Sequence, residues 1–114
     1  MFKIEYFQND NGTYPAEEFI LSQNYKMQAR IFRTLDLLEQ KGNGLREPYS
    51  KYLGEGIFEI RAKQGTDITR VLYFFIEGKN IILTNGFVKK TQETPRRIIE
   101  QAKKFRKIYY SRKA

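Results

Sequence analysis

Three charged residues, Glu59, Arg61 and Arg70, sit inside runs that otherwise read as β-strands, and Lys89 and Lys90 close a third such run. The runs cover residues 57–61, 69–76 and 81–90. Each is rich in β-branched and aromatic residues, and Gly-containing turns separate them, which is the pattern of an antiparallel meander. Strand alternation puts Glu59, Arg61 and Lys63 on one face of the first run and Phe58, Ile60 and Ala62 on the other. Arg70 interrupts an apolar run that continues from Val71 to Ile76, so its strand is expected to be central and covered. An arginine there needs a partner, because a guanidinium is rarely buried alone. Cations inside strands, rather than in loops, point to a sheet face that carries chemistry. The plainer alternative is a Glu59–Arg61 ion pair on a solvated face, which would contribute little.

Composition narrows that chemistry. The chain has 114 residues, enough for one domain over residues 1–114 with one modest core. It contains no Cys and no His. A disulfide framework, a thiolate- or imidazole-ligated metal and a Ser-His-Asp triad are therefore excluded. No cofactor is expected. Alternation in the first six residues, without a long apolar run, points to a strand and not a signal peptide. No run approaches membrane-spanning length, so a soluble, cytoplasmic protein without a membrane partner is expected.

The net charge of +8 is unevenly placed. Residues 1–85 hold eleven basic and eleven acidic side chains, whereas residues 86–114 hold ten basic side chains against Glu93 and Glu100. So concentrated a positive field suits a polyanion or an acidic protein. Nucleic acid is the first candidate, since neutralising phosphates releases counterions.

The elements that must position these groups can be read in order. Residues 1–7 alternate as a strand, with Phe2, Ile4 and Tyr6 on one side. Pro15 opens a short helix whose first turn carries Glu17 and Glu18. Tyr25 to Lys41 form the clearest helix: Met27, Ile31, Leu35 and Leu38, with Phe32 alongside, repeat at helical spacing, and Gly42 stops it. Pro48, Gly54 and Gly56 mark a connection in which residues 51–53 could add a short strand. Thr94 and Pro95 cap a last helix to about Tyr110, with Ile98, Ala102, Phe105 and Tyr109 on its buried line. The expected fold is α+β: two N-terminal helices packed on one face of a small antiparallel four-stranded sheet, plus a C-terminal helix. The other sheet face is expected to be only partly covered, so that Glu59, Arg61 and the strand-end lysines can converge on it.

Four segments carry a resemblance. They are Gly44-Leu-Arg-Glu-Pro-Tyr-Ser-Lys51, Leu53-Gly-Glu-Gly-Ile-Phe-Glu-Ile-Arg61, Thr69-Arg-Val-Leu-Tyr-Phe-Phe75 and Gly86-Phe-Val-Lys-Lys-Thr-Gln-Glu-Thr-Pro95. In their order and spacing they resemble the RelE/ParE superfamily of bacterial toxins, and within it the phage-derived branch that includes HigB-like toxins. The resemblance spans nearly the whole chain, and its last segment is the most specific. It implies the toxin of a toxin–antitoxin pair: a metal-independent endoribonuclease that cuts messenger RNA on the ribosome and is silenced by a cognate antitoxin, often a helix-turn-helix protein. The same superfamily includes ParE proteins, which poison DNA gyrase, so fold alone does not decide function.

Under that resemblance, Arg61 and Arg70 match the family's strand cations and are expected to clamp phosphate, a task suited to a planar guanidinium. Lys89 and Lys90 match its strand-end basic pair; one of them stabilises the transition state or, with a lowered pKa, moves a proton. Glu59 or Tyr73 is the candidate for assisting proton transfer. Arg96, Arg97, Lys103 and Lys104, on the last helix, are expected to contact RNA. Asn85 stands where related sequences often carry histidine, which weakens that position as a proton donor. Two other functions remain open at this level: a ParE-type gyrase inhibitor and a non-catalytic basic RNA-binding module. The strand cations favour the nuclease, because a gyrase inhibitor needs no phosphate clamp.

Overall fold

In the computed structural model, residues 1–89 and 93–113 are described. They form β1 (Lys3–Tyr6), α1 (Pro15–Leu21), α2 (Tyr25–Lys41), β2 (Ser50–Gly54), β3 (Ile57–Gln64), β4 (Asp67–Ile76), β5 (Asn80–Val88) and α3 (Arg96–Lys113), with a single 3-10 turn over Gly42–Gly44. The class is α+β, as expected. The sheet has five strands in the order β1-β5-β4-β3-β2, not four. The additional strand, β2, is the segment after Pro48, paired to β3 with a register shift between Tyr52 and Gly54. The sheet is also not wholly antiparallel. β1 lies parallel to β5, with Ile4 beside Ile81 and Tyr6 beside Leu83. A period-two pattern marks a strand but carries no direction.

Two apolar layers hold the sheet between helices. On one face, Met27, Ile31, Leu35 and Leu38 of α2 pack with Ile60, Val71, Tyr73 and Leu83. Asn24 caps α2 by accepting a hydrogen bond from the backbone of Met27 at 2.9 Å. Each fully buried aliphatic in that stripe contributes about 1.5–3 kcal/mol over its exposed state. Phe32, expected alongside the stripe, is 40% exposed and lies off it. The opposite face is covered by α3, whose Ile98, Ala102, Phe105 and Tyr109 meet Ile57, Leu72, Phe74 and Ile82. Phe105 stacks on Phe7 with ring centroids 4.7 Å apart. The second face, expected to be only partly covered, is thus covered by α3 over its apolar part. The basic helix has an apolar stripe of its own, and burying that stripe needs a sheet face.

One glycine makes the packing of α1 possible. A Cβ at Gly86 would collide with the ring of Phe19, so the bare backbone of β5 admits that ring. Among the described residues, no helix is long and apolar enough to cross a membrane.

Candidate functional site

The strand pairings bring the charged residues together. Arg61 of β3 lies opposite Arg70 of β4, and Lys51 of β2 lies opposite Glu59. Cross-strand partners share a face, so Lys51, Glu59, Arg61 and Arg70 all stand on the α3 side of the sheet. Thr94, just ahead of α3, donates its hydroxyl hydrogen bond to Glu59 Oε1. The cluster therefore abuts the start of α3, where the helical cover begins.

Glu59 is its hub. Its carboxylate is 0% exposed and forms an ion pair with Arg70, which is 2% exposed. The same oxygen, Oε2, accepts from Arg61 Nε at 3.2 Å. With Oε1 taken by Thr94, both oxygens are engaged from three different elements. Glu59 thus has no free oxygen facing solvent with which to take a proton from a substrate. Burial pulls the pKa of Arg70 down from the ordinary arginine value, yet a guanidinium stays charged, and Glu59 supplies the counter-charge. Arg70 is accordingly a buried partner, whereas the expected clamp role requires a group that reaches the phosphate. Arg61 has that reach: its side chain is 21% exposed, and its Nη1 lies 3.5 Å from the exposed Glu47 carboxylate.

Lys89 follows the end of β5, and its backbone N–H donates to Ile68 O at 2.7 Å. Lys89 is half-buried, and its ammonium is pushed below the ordinary lysine pKa, first by desolvation and then by the charges of Arg70, Arg61 and Lys51. Lys89 lines the same recess as Arg61 and Arg70. Lys90, the other member of the expected pair, lies outside the described residues.

Tyr73 is not brought to the cluster. It is three residues from Arg70, and an odd separation along a strand reverses the face. Its ring belongs to the α2-side core, and its hydroxyl lies 2.6 Å from Ser50 Oγ. Burial pushes its pKa up to about 12, which suits a structural hydroxyl and not a proton carrier near neutrality.

The four expected RNA contacts divide into two pairs. Arg96 and Lys103 are tied into carboxylates. Arg96 meets Glu100 at 2.9 Å and Glu55 at 3.6 Å, and Lys103 meets Glu55 at 2.9 Å and Glu100 at 3.3 Å. Lys103 first, then Arg96 and Arg106, hold Glu55 below the usual carboxylate range. Arg97 and Lys104, two turns apart on α3, are exposed.

A recess of about 380 Å³ adjoins the cluster at the outer edge of β3. Pro48, Tyr49, Ala62 and Ile68 give it apolar wall, and Arg61, Arg70 and Lys89 line it as well. Among the described residues, no group of three or more Asp or Glu is gathered in a way that could hold a metal ion.

Several participants escaped sequence reasoning. Thr94 was expected to cap α3 but faces Glu59. Asn85, buried, donates to Ile98 O at 3.2 Å and to Gln101 Oε1 at 3.0 Å, seating the first turns of α3 on β5. Lys51 could have been found by extending the alternation of β3 across to β2. Thr94 could not, because its contact depends on where α3 docks.

Chemically, the face offers a partly exposed guanidinium and ammonium groups over a buried ion pair. Such a face can bind a phosphate group and stabilise charge that develops on it. A family model described as "Phage derived protein Gp49-like (DUF891)" matches residues 18–107, from α1 to the later turns of α3. No curated protein matches the chain.

Proposed function

The chain belongs to the phage-derived Gp49-like family, and on that premise we propose that it is a toxin of the RelE/HigB kind, cleaving messenger RNA on the ribosome and neutralised by a cognate antitoxin. The observation that carries this reading is the convergence of Arg61, Lys89 and Lys51 on one sheet face around the Glu59–Arg70 pair, with Arg61 and Lys89 lining one recess. The chemistry uses the RNA, water and these side chains, on RNA presented by the ribosome. The ribose 2′-oxygen attacks the adjacent phosphorus, its proton passes to water, and the bond from phosphorus to the 5′-oxygen breaks. The products are a 2′,3′-cyclic phosphate and a free 5′-hydroxyl. Arg61 holds the non-bridging oxygens and meets the charge that grows on them. Lys89, with its lowered pKa, delivers a proton to the departing 5′-oxygen. Glu59 and Arg70 act by positioning: one carboxylate fixes Arg61, Arg70 and the Thr94 approach to α3. The ribosome supplies the strained presentation of the RNA that a site without histidine requires.

Expression of the chain alone in bacteria tests this. Protein synthesis should stop within minutes while DNA supercoiling stays normal, and Arg61→Ala should relieve the arrest. Loss of one such charge-assisted contact typically lowers a rate about a hundred- to thousandfold. If supercoiling fails before translation, the chain is a ParE-type gyrase inhibitor instead. If purified chain binds RNA and never cuts it on ribosomes, it is a binding module.

A further inference from the structure

We propose that the recess at the outer edge of β3 is a nucleobase pocket, in which the ring of Tyr49 stacks on the base beside the phosphate held by Arg61 and Lys89. The inference rests on the RNA-cleaving reading and names the residue that would confer base preference. The β2 ladder on β3 ends at Ile60, and Tyr49 stands where it stops. Two backbone hydrogen bonds fix it there: Tyr49 N donates to Arg46 O at 3.0 Å, and Arg61 N donates to Tyr49 O at 2.9 Å. The residue is 46% exposed. An aromatic on a backbone already ordered loses little freedom when a ligand stacks on it.

The lining selects the ligand class. Pro48, Ala62 and Ile68 offer apolar wall, and Arg61 and Lys89 bring positive charge to the same recess. A ligand that matches both is a flat apolar body carrying a phosphate, which describes one nucleotide. About 380 Å³ is near the small end of ligand pockets, sized for a single such unit and not for an extended peptide. Arg30 lies at the lip, its Nε donating to Gln64 Oε1 at 3.2 Å. Its remaining guanidinium N–H groups are donors for a base edge, so the pocket can discriminate as well as hold. Stacking tolerates any base, and selection falls to that edge.

The test uses the full chain and a trinucleotide with 2′-deoxyribose at the scissile position, carrying 2-aminopurine at each position in turn. Fluorescence should be quenched at one position only, by the wild type and by Tyr49→Phe. Tyr49→Ala should lose the quenching and weaken binding by about tenfold or more. An abasic residue at that position should weaken wild-type binding equally, and Tyr49→Ala should add nothing further. Unchanged binding by a folded Tyr49→Ala, or losses that multiply independently, overturns the pocket. So does displacement of the probe by an acidic, Phe-bearing peptide that itself needs Tyr49, which would make the recess a protein-binding site. The two readings fail separately. A chain that quenches the probe but never cuts RNA keeps the pocket and loses the nuclease. A chain that cuts RNA with unaltered rate and base preference as Tyr49→Ala keeps the nuclease and loses the pocket.

Discussion

Removing Arg70 would leave the Glu59 carboxylate buried without its closest counter-charge. Breaking a buried pair in this way typically costs about 3–5 kcal/mol. Arg61, one-fifth exposed and paired to the same oxygen at longer range, should cost about 1 kcal/mol or less when truncated. Urea unfolding of the two alanine variants is thus expected to separate them widely, although both lose toxicity: Arg70→Ala through the fold, Arg61→Ala through the phosphate. Near-equal midpoints would mean that Arg70 is not structural. The need for a partner to Arg70 was legible in the sequence, because an apolar strand does not bury a guanidinium alone. The partner itself was not, since only the β3–β4 register brings Glu59 within reach. Lys89 makes a second, pH-based prediction. Its folded-state pKa lies below the ordinary lysine value, so between those two values the unfolded chain binds more protons and stability rises with pH. As the acid that serves the leaving oxygen, Lys89 must be protonated, so cleavage falls as pH rises through that lowered pKa. Lys51 is one of the charges that lower it. Lys51→Gln should therefore raise the pKa of Lys89 and move the alkaline limb of the rate profile to higher pH. A limb that stays where it was would remove Lys89 from the role.

At the scale of elements, the seating of α3 decides whether the cluster is assembled, because Thr94 reaches Glu59 only when the helix starts where it does. Three contacts fix that seat. Asn85 holds the first turns, the Phe7–Phe105 stack holds the middle, and the β2–β3 turn holds the outer side, where Arg106 donates to Glu55 O at 2.5 Å. Asn85→Ala removes both donations into α3, while the Thr84 hydroxyl keeps the Leu72 carbonyl as an acceptor at 3.2 Å. Two lost hydrogen bonds, at about 0.5–1.5 kcal/mol each, amount to about 1–3 kcal/mol. The expected result is a destabilisation in that range, with hydrogen exchange accelerated in the first half of α3 and cleavage reduced. Exchange that rises evenly over the whole molecule would show instead that α3 does not open on its own. What could be read in the sequence follows the range of the forces involved. Helix α2 was legible along its length, because its stripe and its Gly42 stop are local signals. The buried line of α3 was legible for the same reason. Its docking on the face reserved for chemistry was not, and neither was the parallel pairing of β1 with β5, whose partners are separated by most of the chain. Tyr73 shows the cost of a missing register: its type suited proton transfer, and its face did not.

Across the whole molecule, the excess charge is less available than its total suggests. Part of the positive field on α3 is already neutralised, because Glu55 and Glu100 engage Arg96 and Lys103. Arg97 and Lys104 are exposed two turns apart on the same helix, a spacing at which both can follow one strand of phosphates. Binding to a single strand weakens with salt in proportion to the phosphates neutralised, with a logarithmic slope of about −0.7 for each. Removing a cation that contacts phosphate should shrink that slope by about that amount, whereas removing one already paired to carboxylate should change it far less. The double variant Arg97→Ala with Lys104→Ala is therefore expected to flatten the salt dependence of RNA binding by about 1.4 in log–log slope. Arg96→Ala with Lys103→Ala should leave most of it, although both pairs lower the net charge equally. Equal flattening by the two pairs would mean that RNA responds only to total charge. In that case the Glu55 and Glu100 contacts do not decide which cations of α3 meet the strand.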